Sequence, residues 1–208
     1  MSANSINNIE SLNEFQLDAL REIGNIGAGN AATALATLLS DRVNMSVPVL
    51  NIMNVEDVTK VLGGPENPVV GILMTLSEDV KGVIMLVFEE KFLSVVIKTL
   101  LGQEIDSLNN LSEMDRSVFM EIGNIMSSTY LNALAAMTGL SIQISTPDIC
   151  ADMAGAIMSV PASIFGMTGD KVLMLQEDFI GEEHITSHLI MLPEIDSLNA
   201  ILKSLGAE

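Results

Sequence analysis

The chain of 208 residues predicts an α+β fold: a two-layer α/β arrangement with helices packed on a mostly antiparallel sheet of about six strands, built with pseudo-two-fold internal duplication. Three observations predict it. Residues 13–26 (NEFQLDALREIGNI) lie without a gap on residues 112–125 (SEMDRSVFMEIGNI) at a constant offset of 99. Both halves then carry strand-like runs rich in Val, Ile and Leu between turn residues. A hydrophobic content of 49% is ample for a packed core.

The elements follow in order. Asn13 with Gln16, and Ser112 with Asp115, each pair a helix N-cap with an acceptor or acid three residues on. From these caps one long helix runs through NAATALATLL and another through STYLNALAAMTG. Each exits into a β-rich stretch, Val43 to Asn51 and Leu140 to Ile149, with a proline at the same offset, Pro48 and Pro147. In the first half VEDVTKVLGG predicts a short helix, NPVVGILMTL with VKGVIMLVFE a β-hairpin, and KFLSVVIKTLLG a closing helix. In the second half SIFG ends a short helical segment, KVLMLQEDF and HITSHLIMLPE are strands, and IDSLNAILKSLG closes. The order helix, strand, helix, two strands, helix is therefore written twice, in a first repeat at 10–103 and a second at 109–208. The junction GQEIDSLNNL is short and lacks the composition of a flexible tether. The expectation is a single domain, 1–208, whose halves share one core.

Charge narrows the partners. A net charge of -18 with only 9 Lys and Arg argues against nucleic acid and anionic membrane, both of which are bound through basic patches. A protein or cationic partner fits better. The single Cys150 cannot form an internal disulfide and reads as a small buried apolar residue. MSANSINNIE has neither the basic nor the apolar region of a signal peptide. Two charge-free windows, Ile23 to Ser40 and Ile122 to Pro147, are too often interrupted by Asn, Gly, Ser or Thr to supply the roughly 20 apolar residues of a membrane span. A reducing cytoplasm is the expected location.

The stretch EIGNIGAGN (Glu22 to Asn30) places three glycines inside a helix, where each costs about 1 kcal/mol relative to Ala. At about 100° per residue, Asp18, Glu22 and Asn25 cluster on one face, opposite Leu20 and Ile23. Ser117, Glu121 and Asn124 repeat that arrangement. Apart from Arg21 this polar face carries no long cation, which is more selective than solubility requires. Gly24 and its twin Gly123 point toward the packed side, where a missing Cβ lets another backbone approach. Gly29 and its twin Ser128 lie one turn beyond the Glu/Asn pair and leave room for a partner surface. Gly27 becomes Met126 and reads as local packing.

Other chemistries fit less well. GNIGAG has glycines in the wrong order for a phosphate loop, follows helix rather than strand, and loses two glycines in the second copy. One Glu and one Asn per copy, without a neighbouring His, make a poor metal site. His184 and His188 share a face of a predicted strand and read as structural or exposed histidines. No Ser-His-Asp, Cys-His or G-x-S-x-G arrangement suggests nucleophilic catalysis.

Taken together, these residues resemble the CheC family of chemotaxis phosphatases along essentially the whole chain. The family pattern is Asp or Ser, three residues, Glu, two residues, Asn, twenty-two residues, Pro. Asp18, Glu22, Asn25 and Pro48 match it, and Ser117, Glu121, Asn124 and Pro147 match it again. The resemblance implies hydrolysis of the aspartyl phosphate on the response regulator CheY, which sets flagellar switching. Glu22 and Glu121 would engage the regulator's active-site lysine, while Asn25 and Asn124 hold the attacking water. Asp18 and Ser117 would support the contact at its edge, and Pro48 and Pro147 would shape the strand after the helix. It implies no cofactor in this chain, since the Mg2+ belongs to the regulator, and it implies the receptor deamidase CheD as a second partner. The alternative is a binding module that sequesters phosphorylated CheY or CheD. The middle domains of flagellar switch proteins share the repeat, but a FliY-like chain is expected to continue beyond the second closing helix.

Overall fold

The computed structural model describes residues 6, 8–40, 43–105, 107–164, 171–180 and 184–207. The first half contributes α1 (Glu14–Leu39), β1 (Asn44–Met45), β2 (Val49–Asn54), α2 (Val55–Val61), β3 (Pro68–Glu78), β4 (Gly82–Glu89) and α3 (Glu90–Leu101). The second contributes α4 (Glu113–Thr138), β5 (Ile142–Ile144), β6 (Asp148–Met153), α5 (Ala154–Ile164), β7 (Lys171–Ile180), β8 (His184–Pro193) and α6 (Ile195–Ser204). The long helices α1 and α4 have 26 residues each and keep the offset of 99 at both ends.

Both begin where their caps require. The Asn13 side chain accepts from the Gln16 amide at 3.0 Å while Gln16 Oε1 accepts from the Asn13 amide at 3.0 Å. Ser112 and Asp115 close the same reciprocal box at 3.1 and 2.9 Å. Two otherwise unpaired amides are thereby satisfied at each helix start.

Among the described residues the sheet is antiparallel throughout and six positions wide, though it contains eight strand segments. Its centre is the β4–β8 pair, flanked by β3 and β7. At one edge β1 and β2 both pair with β7; at the other β5 and β6 both pair with β3. Each predicted β-rich stretch is thus one edge strand broken in two. Pro48 separates β1 from β2, and Pro147 separates β5 from β6, as expected of a residue that cannot donate to the ladder and is tolerated at sheet edges. The edges are also exchanged: first-half β1 and β2 pair with second-half β7, and second-half β5 and β6 pair with first-half β3.

Alternation along β4 divides the core. Ile84, Leu86 and Phe88 face the larger cluster, which includes Leu20 of α1, Phe92 of α3, Phe119 of α4 and Leu198 of α6. Val83, Met85 and Val87 face a smaller cluster with Val58 of α2 and Ile157 of α5. The short helices α2 and α5 therefore add a thin third layer to the two expected from sequence. Phe88 stacks on Phe92 at 4.4 Å between ring centres, and Phe92 meets Phe179 edge-on at 6.0 Å. Of the predicted segment end SIFG, Ser163 and Ile164 are helical, while Phe165 and Gly166 lie outside the described residues.

Candidate functional site

The two long helices pack against each other on one face of the sheet. Their inward stripes are apolar, with Leu20, Ile23, Gly24, Gly27, Ala28 and Ala31 buried in α1. In α4 the matching stripe buries Phe119, Ile122, Gly123, Met126 and Tyr130. That burial orients everything on the opposite stripe. Asp18, Glu22, Asn25 and Gly29 are exposed, as are Ser117, Glu121 and Asn124, while Ser128 is half-buried.

The helix seats explain two of the repeated glycines. A Cβ on Gly24 would stand 3.0 Å from Leu175 Cδ1, and one on Gly123 would stand 2.8 Å from Ile72 Cγ2. What approaches these glycines is a strand side chain, not the backbone expected from sequence. Leu175 belongs to β7 and Ile72 to β3, so each motif helix rests on a strand of the other half. Gly27 accommodates the ring of Tyr130, whose Cδ1 would lie 2.3 Å from an added Cβ. The offset turns that pair into Met126 and Ala31, both fully buried, with the large residue on α4 in both pairs. Gly29 differs, because nothing lies within 4 Å of an added Cβ.

The Glu/Asn pairs are unengaged. Among the described residues, no hydrogen bond or ion pair holds the side chain of Glu22, Asn25, Glu121 or Asn124. Asp18 is held: Arg21 Nη1 donates to its Oδ1 at 2.6 Å and stands 3.7 Å from Glu14 Oε2. The twin of Arg21 is Met120, so this clamp exists only in the first half. Its consequence is electrostatic. The anion that distinguishes Asp18 from the neutral Ser117 is partly offset by the guanidinium beside it. Pro48 and Pro147 are half-buried at the breaks in the edge strands.

Other polar groups sit away from these stripes. His188 is buried on β8, with Nε2 3.7 Å from Glu89 Oε1, and burial holds its proton affinity below the ordinary histidine range despite that carboxylate. The side chain of His184 lies outside the described residues. Among the described residues no cluster of three or more His, Cys, Asp or Glu side chains is placed to hold a metal ion. Nor, among them, is any helix long and apolar enough to cross a membrane. Cys150 is exposed, correcting the expectation of burial, because it falls on edge strand β6 with its side chain outward.

One buried polar group escaped the sequence reading. Glu177 on β7 is fully buried, and its Oε2 accepts from Ser187 Oγ at 3.1 Å. Burial pushes its carboxyl up to about 8, against the smaller opposing effect of Ser187. The signal was present in KVLMLQEDF, where Leu173, Leu175, Glu177 and Phe179 alternate onto one inward face.

Fold and site together define a class: a duplicated α+β protein that presents one exposed Glu/Asn pair per half on two helices packed side by side. The CheC-like family model matches residues 15–52 and 114–150, the motif helix and the following edge strand of each half. Over 201 residues the chain is 31% identical to the CheY-P phosphatase CheC of Bacillus subtilis, covering 94% of this chain and 96% of that one. It is 28% identical over 142 residues to the flagellar motor switch phosphatase FliY of Bacillus subtilis, covering 68% of this chain and 37% of that protein. Among solved structures, Thermotoga maritima FliY superposes with a TM-score of 0.74 at 21% identity, over 95% of this chain and all of that one. The FliM middle domain from H. pylori gives 0.68 at 13% identity, over 93% and 99%. These two likenesses concern the fold alone. The chain belongs to the CheC-like family.

Proposed function

We propose that this protein is a phosphatase that hydrolyses the aspartyl phosphate of the chemotaxis response regulator CheY. The observation that carries the proposal is the pair of unengaged, exposed Glu/Asn stripes, in a chain 31% identical along 94% of its length to a CheY-P phosphatase. On this reading Glu22 or Glu121 engages the regulator's active-site lysine. Asn25 or Asn124 both donates to and accepts from one water, holding its oxygen in line with phosphorus. The water oxygen bonds to phosphorus, the bond from phosphorus to the aspartyl oxygen breaks, and the water's proton leaves with inorganic phosphate or to solvent. Asp18 and Ser117 border the contact, Gly29 and Ser128 keep its far end low, and Pro48 and Pro147 shape the neighbouring edge strands.

The Mg2+ of this reaction is the regulator's, since a Glu/Asn pair alone offers too few ligands to hold it here. The repeats at 10–103 and 109–208 act as one domain, which the exchanged edge strands and the reciprocal helix seats support. The family also suggests CheD as a second partner and the cytoplasm as the place of action. Decay of phosphorylated CheY in magnesium, with this protein at a small fraction of an equivalent, tests the proposal. Several turnovers per molecule are expected. A phosphoryl lifetime that is unchanged or lengthened would indicate a sequestering module instead.

A further inference from the structure

About two turns before each Glu/Asn pair stands an apolar side chain that neither the fold nor the proposed chemistry uses. Phe15 is 63% exposed and Met114 is 61% exposed, and the two are related by the same offset of 99. Each is the second residue of its motif helix. The first turn of a helix favours acids, as Glu14 and Glu113 illustrate, and gives no reason for a large apolar group facing water.

Their position is what points to a role. At about 100° per residue Phe15 falls about 20° from Glu22 around the helix, and Met114 stands in the same relation to Glu121. Along the axis Phe15 precedes Glu22 by about 10 Å and Asn25 by about 15 Å, at a rise of about 1.5 Å per residue. Apolar anchor, acid and amide thus form one continuous stripe, twice. Val61 and Val160 are also exposed at this offset, but they are only 39% and 42% exposed and lie on α2 and α5, across the sheet from the stripe.

We propose that Phe15 and Met114 are the specificity-determining anchors by which each motif helix seats the phosphorylated response regulator. The inference rests on the phosphatase reading above. A folded domain whose phosphoryl group reaches Asn25 covers roughly 800 Å² of this surface, a patch wide enough to include a residue about 15 Å away. A small phosphate ester reaching the same amide would leave Phe15 in water. Phe15 shares the first turns of α1 with the exposed ion pairs of Arg21 with Glu14 and Asp18, the combination of an apolar anchor and polar neighbours found at interfaces.

The test compares the full-length wild type with Phe15→Ala/Met114→Ala, Phe15→Leu/Met114→Leu and Val61→Ala/Val160→Ala. Steady-state phosphate release from CheY, kept phosphorylated by acetyl phosphate, gives KM and kcat. Titration with beryllofluoride-loaded CheY gives Kd without turnover. The alanine pair is expected to raise KM and Kd about tenfold with kcat within about twofold, the leucine pair to restore most of the loss, and the valine pair to change nothing. Unchanged KM and Kd in the alanine pair, with an active wild type, would overturn the anchors and leave the phosphatase reading standing. A wild type that neither accelerates decay nor binds loaded CheY would overturn both. Binding without turnover, lost in the alanine pair, would retain the anchors and remove the catalysis.

Discussion

Gly27 and Gly29 lie two residues apart on one helix, yet alanine should act oppositely at them. At Gly27 the new Cβ would enter the Tyr130 ring, and overpacking of about 1–3 kcal/mol outweighs the roughly 1 kcal/mol gained in helix propensity. At Gly29 only the propensity gain remains. Urea denaturation should therefore show Gly27→Ala destabilised and Gly29→Ala stabilised by up to about 1 kcal/mol. Glu177 gives a second expectation at this scale. Folded, it keeps its proton up to about 8; unfolded, it releases it near the ordinary glutamate value of 4.5. The folded chain binds more protons across that window, so stability falls as pH rises through it. His188, with its affinity lowered, works in the opposite direction below the ordinary histidine value of 6.5 and contributes little above about pH 7. Denaturation between about pH 7 and 8 should show a falling stability that Glu177→Gln flattens. The Glu/Asn pairs were legible because they recur with matching flanks. Glu177 was legible from alternation alone, but a single acid in a strand carries no repeat to flag it.

The two long helices end differently although they begin alike. Gly139 caps α4 in the left-handed region at φ 73°, whereas its twin Ser40 caps α1 at φ 52° and carries a Cβ there. Ser40→Gly should relieve that conformation and raise stability by about 0.5–1 kcal/mol, read from the urea midpoint; no gain would mean that Ser40 rests there without strain. Helix starts were readable to the residue, since a capping box is local chemistry within four positions. Strand limits were not. Pro48 and Pro147 mark the right places, but the sequence predicts one strand around each where the structure has an edge strand divided in two. The exchange of edges pairs strands far apart in the chain, as with Val49 and Gln176 or Leu76 and Ile144, and no local pattern specifies which strand a β-rich run will join.

At the scale of the molecule, fold and function separate. The same duplicated sheet superposes on FliY and on a FliM middle domain, so the architecture is a shared platform and the argument for activity lies in the side chains it carries. The interleaved sheet seats α1 on β7 and α4 on β3, which presents one Glu/Asn stripe from each half on the same face of the sheet. On the proposed mechanism Asn25 and Asn124 position water rather than merely bind the regulator. The most direct measurement is therefore made on Asn25→Ala/Asn124→Ala, comparing turnover of phosphorylated CheY with affinity for beryllofluoride-loaded CheY in the same preparation. Expected is a loss of turnover of about a hundredfold or more, with Kd within a few-fold of wild type. Turnover that survives the double substitution would contradict that role and place the chemistry elsewhere on the chain.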